Sequence, residues 1–243
     1  MGAGSERNLT RGPTLPAGRR IYAIGDVHGR ADLLAMLQRR IAADLDRHPI
    51  ADPLLICLGD YVDRGPDSAG VIELLLGDAP AGMERIALLG NHEELMLRFL
   101  VDESAGPVWF ANGGDATLES YGVDALDSYV RARRQFEQLF PARHRALLES
   151  LPLSHSEGDY FFAHAGVRPG TALGDQRRED LLWIRSEFLR SDADHGKVVV
   201  HGHSIAAEPQ SRANRIGIDT GAYASDRLTC LVLEGEKRRF FVT

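Results

Sequence analysis

The feature that most constrains this chain is a recurrence. Five times, a short apolar run passes directly into a glycine-flanked cluster of Asp, His or Asn. Ile21-Tyr22-Ala23-Ile24 leads into Gly25-Asp26-Val27-His28-Gly29, and Leu54–Leu58 into Gly59-Asp60-Tyr61-Val62-Asp63-Arg64-Gly65. Arg85–Leu89 leads into Gly90-Asn91-His92-Glu93, Tyr160–Ala163 into His164-Ala165-Gly166, and Val198–Val200 into His201-Gly202-His203. Apolar runs of this length bounded by such turns read as buried strands. Glycine supplies the tight turns and the close backbone approach that those points require. Ligands of an α/β sheet gather outside the carboxyl ends of its strands. The pattern therefore predicts polar side chains delivered by five strands to one edge.

Between the clusters the apolar spacing changes from strand to helix. Leu34, Leu37, Ile41 and Leu45 recur at helical intervals and predict an amphipathic helix over about residues 31–46. A second helix is expected near Ser68–Leu76, with Asp67 or Ser68 capping its first turn, and a third carries Leu95, Met96, Phe99 and Leu100. Three consecutive strand–loop–helix units read as βαβ. From about Pro107 to Leu151 the pattern is helical, with Leu126, Val130 and Leu139 as apolar anchors and Pro141 opening a later segment. Asn112-Gly113-Gly114 interrupts it with turn chemistry. The remainder is β-rich, adding Ile216–Ile218 and a hairpin of Leu228–Leu233 and Arg239–Val242 around Glu234–Lys237. Residues 1–19 show no periodicity and are expected to form a mobile tail. Residues 20–243 read as one α/β domain with a helical insertion at about 107–151.

Charge and composition narrow the class. With 28 Lys and Arg against 35 Asp and Glu, the formal charge is −7. Non-specific binding to nucleic acid or anionic membrane depends on surplus cationic side chains, so neither is an expected partner. No apolar run approaches the roughly 20 residues of a membrane span, and residues 1–20 lack the apolar core of a signal peptide. Cys57 and Cys230 are too few for a disulfide framework. The expected location is a reducing compartment, the cytoplasm.

Carboxylate, imidazole and Asn carbonyl form a mixed oxygen–nitrogen donor set without thiolates. That argues against a structural zinc knot and against calcium, and suits Mn, Fe or Zn. More donors converge than one tetrahedral ion can use, so two ions bridged by a shared carboxylate are expected. Such a pair polarises phosphoryl oxygens, supplies hydroxide at neutral pH, and clamps the two oxygens of an in-line displacement.

Taken in order, GDVHG, GDYVDRG, GNHE, HAG and HGH resemble the motifs of the phosphoprotein-phosphatase branch of the calcineurin-like metallophosphoesterases, over about residues 21–223. The likeness is greatest to small bacterial and phage serine/threonine phosphatases and their diadenosine-tetraphosphatase relatives. It implies an α/β fold of the metallophosphoesterase type, a β-sandwich flanked by helices. It also implies roles. Asp26 and His28 would hold a first metal ion, Asp60 would bridge, and Asn91, His164 and His203 would hold a second. Arg64, helped by Asn91, would grip the substrate phosphate. His92 would protonate the leaving alkoxide, oriented by Asp63, and Arg185 in Trp183-Ile184-Arg185 would be a second phosphate-binding arginine. His164-Ala165-Gly166 stands where better-known members have His-Gly-Gly. The implied enzyme hydrolyses phosphomonoesters of serine or threonine in proteins by attack of metal-bound hydroxide, with two divalent ions, Mn or alternatively Fe or Zn. The same core implies, as an alternative, hydrolysis of symmetrical bis(5'-nucleosyl) tetraphosphates. The chemistry agrees with these roles: a loose phosphoryl transition state needs positioned positive charge, and a carboxylate-held histidine titrates near neutrality.

Other polar residues receive plainer readings. His201 shares a strand face with His203 by parity and is given a structural duty. Glu93 and Glu94 open a helix, where acidic groups suit the macrodipole, and no catalytic role is assigned to them. Asn112-Gly113-Gly114 resembles a segment of the phage enzyme, without chemistry. His48, His144, His155 and His195 are expected at the surface, and Arg131, Arg133 and Arg134 on a solvated helix face.

Overall fold

The computed structural model describes residues 12–243. β1 (Arg19–Ile24), α1 (Ala31–Arg47), β2 (Asp52–Cys57), α2 (Ser68–Leu76), β3 (Glu84–Ala87) and α3 (Asn91–Val101) form the three expected strand–loop–helix units. α4 (Gly106–Ala111), α5 (Gly114–Ser120), α6 (Tyr129–Leu139) and α7 (Ala142–Ser150) make up the helical insertion. Then follow β4 (Ser154–Glu157), β5 (Tyr160–Ala163), α8 (Arg178–Trp183), α9 (Ser186–Leu189), β6 (Val198–His201), β7 (Gln210–Ser211) and β8 (Arg215–Gly217). α10 (Ala222–Ser225), β9 (Thr229–Glu234) and β10 (Lys237–Val242) close the chain.

The strands make two sheets, ordered β10-β9-β1-β2-β3 and β4-β5-β6-β8-β7. In each, the three strands that end at polar clusters or beside them run parallel: β1, β2 and β3 in the first, β5, β6 and β8 in the second. Strand parity then sorts the side chains into layers. Ile21, Ala23, Leu54, Ile56, Leu231 and Leu233 face Tyr160, Phe162, Val198, Val200 and Ile216 across the interface of the two sheets. Their neighbours Tyr22, Ile24, Leu55, Cys57, Cys230 and Val232 face the opposite way, onto α1, α2, α3 and the insertion. On the outer face of the second sheet, Phe161, Ala163 and Val199 pack against Leu181, Ile184 and Phe188. The result is the expected metallophosphoesterase-type sandwich with helices on both outer faces.

Several expectations need correction. In α6 the buried residues are Ala132 and Phe136, four apart, followed by Phe140; Val130 and Leu139 lie off that stripe and are exposed. His144 is buried rather than at the surface: Nε2 meets Glu73 Oε1 at 2.8 Å and Nδ1 meets the Tyr121 hydroxyl at 2.8 Å. β4, Ser-His-Ser-Glu, has no apolar run to announce it; it is an edge strand, whose side chains need not alternate into a core. Of the expected tail, residues 1–11 lie outside the described residues, and the rest is tied down. Leu15 is buried and its N–H donates to Gly235 O at 3.1 Å, while Thr14 exchanges bonds with Asp159.

Candidate metal centre

The loops after β1, β2, β3, β5 and β6 meet at one end of the sandwich. The first two are zipped together by backbone: Val27 and His28 N–H donate to Asp60 O at 3.0 and 2.8 Å, and Gly29 N–H to Tyr61 O at 2.8 Å. A Cβ on Gly65 would lie 2.0 Å from His28 O, so only glycine lets these loops cross. Seven non-glycine residues have positive φ among the described residues, and five of them are here: His28, Asp60, Asp63, Arg64 and His203. Each costs about 1 kcal/mol or more. The positive φ of His203 also means that the strand has already ended at His201, so strand parity does not relate the two histidines.

Two histidines are oriented so that each could offer a neutral ring nitrogen to a cation. His28 Nδ1 donates to Val62 O at 2.9 Å and His164 Nδ1 to Leu58 O at 2.9 Å, which leaves each Nε2 as an acceptor. Burial depresses three of the imidazoles, His28 to about 3, His203 to about 2, and His164 below its usual range. His28 Nε2 lies 3.6 Å from Asp60 Oδ2, and His164 Nε2 lies 3.4 Å from Asp60 Oδ1. Two groups result, His28–Asp60–His92 and Asp60–His164–His203, each with ligand atoms within 4.8 Å of one another and Asp60 common to both. Burial would raise Asp60, but His164, His92, His28 and His203 hold it well below the usual carboxylate range.

The donor set fits a pair of cations on this structure's own terms. Neutral His164 Nε2 and Asn91 Oδ1 face each other at 2.8 Å, acceptor against acceptor, a contact that a cation between them would reconcile. Asp26 Oδ1 and His203 Nε2 are buried without a hydrogen-bond partner among the described residues. Asp26 Oδ2 accepts from His203 N–H at 2.8 Å, so the first loop and the last are joined at this point. Burial, then Asp219 and Asp60, push Asp26 well above the carboxylate range.

The remaining candidates surround these groups. His92 Nδ1 bonds Asp63 Oδ2 at 2.6 Å. Burial works against charge on His92, yet Asp60 and Asp63 outweigh it and hold its pKa above the usual imidazole value. Arg64 NH1 and NH2 reach His28 Nε2 at 2.9 Å and His92 Nε2 at 3.0 Å, with the guanidinium 4.9 Å above the Tyr223 ring. Arg185 is exposed at the start of α9 and depresses His164 and His203 by its charge. His201 stands outside both ligand groups, buried edge-on against Phe188 with ring centres 5.0 Å apart.

Sequence reasoning missed two acids. Glu93 is fully buried and accepts four backbone N–H groups, from Gly90 and Asp60 at 2.9 Å, Tyr61 at 2.7 Å and Val62 at 3.2 Å. Burial and Asp60 push its pKa up to about 8, while those four donors favour the carboxylate. It thereby clamps the second loop to the start of α3. Asp219 follows β8 and lies against Asp26; burial raises its pKa to about 6. The signal was available, since Ile216–Ile218 followed by Asp219-Thr220-Gly221 repeats the pattern of the other five loops.

Residues 19–230 match the family of calcineurin-like phosphoesterases, nearly the whole described chain. This chain belongs to that family. Serine/threonine-protein phosphatase 2 of Escherichia coli K12 is 31% identical over 220 residues, covering 87% of this chain and 91% of that protein. A symmetrical bis(5'-nucleosyl)-tetraphosphatase of Dechloromonas aromatica is 35% identical over 148 residues, 61% of this chain and 44% of the relative. The cold-active protein-tyrosine phosphatase of a Shewanella species shares the fold, with a TM-score of 0.60, 15% identity, and coverage of 93% and 83% of the two chains. As a calcineurin-like phosphoesterase with phosphatase-named relatives, the chain is a hydrolase of phosphoric esters, as its motifs implied. None of its described helices is long and apolar enough to cross a membrane.

Proposed function

We propose that this phosphoesterase removes phosphate from phosphoserine or phosphothreonine in proteins, as a cytoplasmic enzyme with two manganese ions. The observation that carries the reading is the sharing of Asp60 between two ligand groups beside the His92–Asp63 pair. Asp26, His28 and Asp60 would hold one ion, and Asp60, Asn91, His164 and His203 the other. Bound there, the ions would supply Lewis acidity toward the phosphoryl oxygens and hydroxide at neutral pH. The chain's own groups do the rest. Arg64 turns its planar fork to the phosphate, with the Asn91 amide beside it and Arg185 entering from α9. Asp63 fixes the His92 tautomer by accepting from Nδ1–H, which leaves Nε2–H of the imidazolium to protonate the departing alkoxide. Supporting the protein substrate is the relative named for serine and threonine, 31% identical over 87% of this chain, against 26% for an asymmetrical bis(5'-nucleosyl)-tetraphosphatase of Anoxybacillus flavithermus over 86% of it.

The test is incubation of the manganese-loaded enzyme with a phosphoserine peptide and with diadenosine tetraphosphate, scored by product analysis. Release of inorganic phosphate from the peptide with at least tenfold higher kcat/KM is expected. Preferential conversion of the dinucleotide to two nucleoside diphosphates would replace this reading.

A further inference from the structure

The helical insertion contains one segment that the proposed chemistry leaves unused, Trp109 to Thr117 around the Asn112-Gly113-Gly114 turn, and it runs directly behind the His92–Asp63 pair. The Asp63 carboxylate has three donors. His92 Nδ1 lies 2.6 Å from Oδ2, Trp109 Nε1 lies 2.9 Å from Oδ2 and 3.1 Å from Oδ1, and Thr117 Oγ1 lies 2.7 Å from Oδ1. Two of the three therefore come from α4 and α5. Proton bookkeeping fixes the Thr117 hydroxyl as a donor to Asp63: it accepts the Asp63 N–H at 2.8 Å and meets Ser68 Oγ at 3.0 Å, and Ser68 in turn accepts the same N–H at 3.0 Å. A carboxylate held only by His92 could turn about its two torsions. With donors from three directions it has one orientation.

Both glycines of the turn serve this approach. Gly113 has φ +93°, a Cβ there would stand 2.9 Å from Arg64 Cγ, and its carbonyl accepts Arg64 N–H at 3.0 Å. A Cβ on Gly114 would stand 2.5 Å from the Trp109 ring. The indole is itself wedged, fully buried, with the Phe99 ring centre 4.9 Å away and Phe136 at 6.0 Å. Neither Trp109 nor Thr117 hydrogen-bonds to Asp26, His28, Asp60, Asn91, His164 or His203; their side chains bond Asp63 and Ser68.

We infer that Trp109 and Thr117 are positioning residues for leaving-group protonation: they lock the Asp63 carboxylate so that it presents His92 to the departing oxygen. This rests on the assignment of His92 as proton donor made above. Its consequence is selective. An ester whose leaving group is strongly basic needs the proton, and one whose leaving group is a stable anion does not.

The experiment compares phenyl phosphate, which leaves as a basic phenolate, with p-nitrophenyl phosphate, which does not, on the full chain with manganese. The variants are Trp109→Phe, Thr117→Val, Thr117→Ser and, as the reference, His92→Asn. Bound manganese per chain and thermal unfolding are measured alongside. Trp109→Phe and Thr117→Val are each expected to lower kcat on phenyl phosphate about tenfold, the scale of lost outer hydrogen-bond partners. On p-nitrophenyl phosphate the fall is expected to be threefold or less, with KM and bound manganese unchanged. Thr117→Ser, which keeps the hydroxyl, is expected to restore wild-type behaviour on both esters. Equal losses on the two esters, or no loss on phenyl phosphate, overturn the inference. Thr117→Val changes only the hydroxyl and carries the test alone if Trp109→Phe does not fold. Should His92→Asn discriminate between the esters while Trp109→Phe and Thr117→Val do not, the inference fails and the role of His92 stands. Should His92→Asn not discriminate either, the role of His92 fails and the inference falls with it.

Discussion

The interior between the two sheets and the loop edge at their end are made from the same strands under opposite physical conditions. Between the sheets, Ile21, Leu54 and Ile56 meet Phe162, Val200 and Ile216, apolar against apolar. A few residues further along each strand, the chain enters left-handed backbone at His28, Asp60, Asp63, Arg64 and His203 and buries carboxyls beside imidazoles. The first region releases free energy on folding by removing apolar surface from water. The second consumes it, through backbone strain and desolvated polar groups whose lone pairs point at one another. The difference teaches that the edge is shaped for cations rather than for stability, and that the sandwich beneath it supplies the surplus.

Asp60→Asn is the strongest way to break that contrast. Losing the shared carboxylate is expected to lower phosphatase turnover on the order of a thousandfold. The metal-free variant is expected to unfold in urea at close to the same concentration as wild type, since the isosteric amide keeps an oxygen to accept the His92 N–H. A large loss of metal-free stability would mean that the edge holds the fold together after all. Ile56→Ala should give the mirror image. Burial of that side chain predicts a loss of about 2–5 kcal/mol in urea unfolding, with kcat per folded molecule unchanged. A smaller effect comes from the cations themselves. At a hundredfold excess over its dissociation constant each ion should stabilise wild type by about 2.7 kcal/mol, raising Tm by about 5–10 °C. Calorimetry with manganese and then with chelator measures this, and Asp60→Asn should show a much smaller rise.

The sandwich was legible because its determinants are local. Runs such as Leu54–Leu58 and Tyr160–Ala163 are strands by composition, and the helix at Ser68–Leu76 was bounded correctly by its own cap, Asp67, whose carboxylate accepts Gly70 N–H at 2.7 Å. The loops were legible for the same reason, since each cluster sits directly after its strand. What escaped was set by packing at a distance. Glu93 looked like a helix-opening acid, and only the fold of the Asp60–Val62 loop onto it reveals four backbone donors. His144 looked solvated because its partners, Glu73 and Tyr121, are 71 and 23 residues away. Val130 and Leu139 read as anchors because they are apolar, but the stripe that faces Trp109 passes through Ala132 and Phe136 instead.

The docking of Thr14 and Leu15 has a consequence at the other end of the molecule. Leu15 is stitched to the turn between β9 and β10, and Thr14 to the turn before β5, so one short segment hems the two sheets together where they lie farthest from the loops. Asp26, Asp60 and Asn91 ride on the first sheet, and His164 and His203 on the second. Sliding of one layer over the other would therefore alter the spacing across Asp60, and the hem resists that shear. The spacing of the candidate ligands is thus set partly by residues that never approach them.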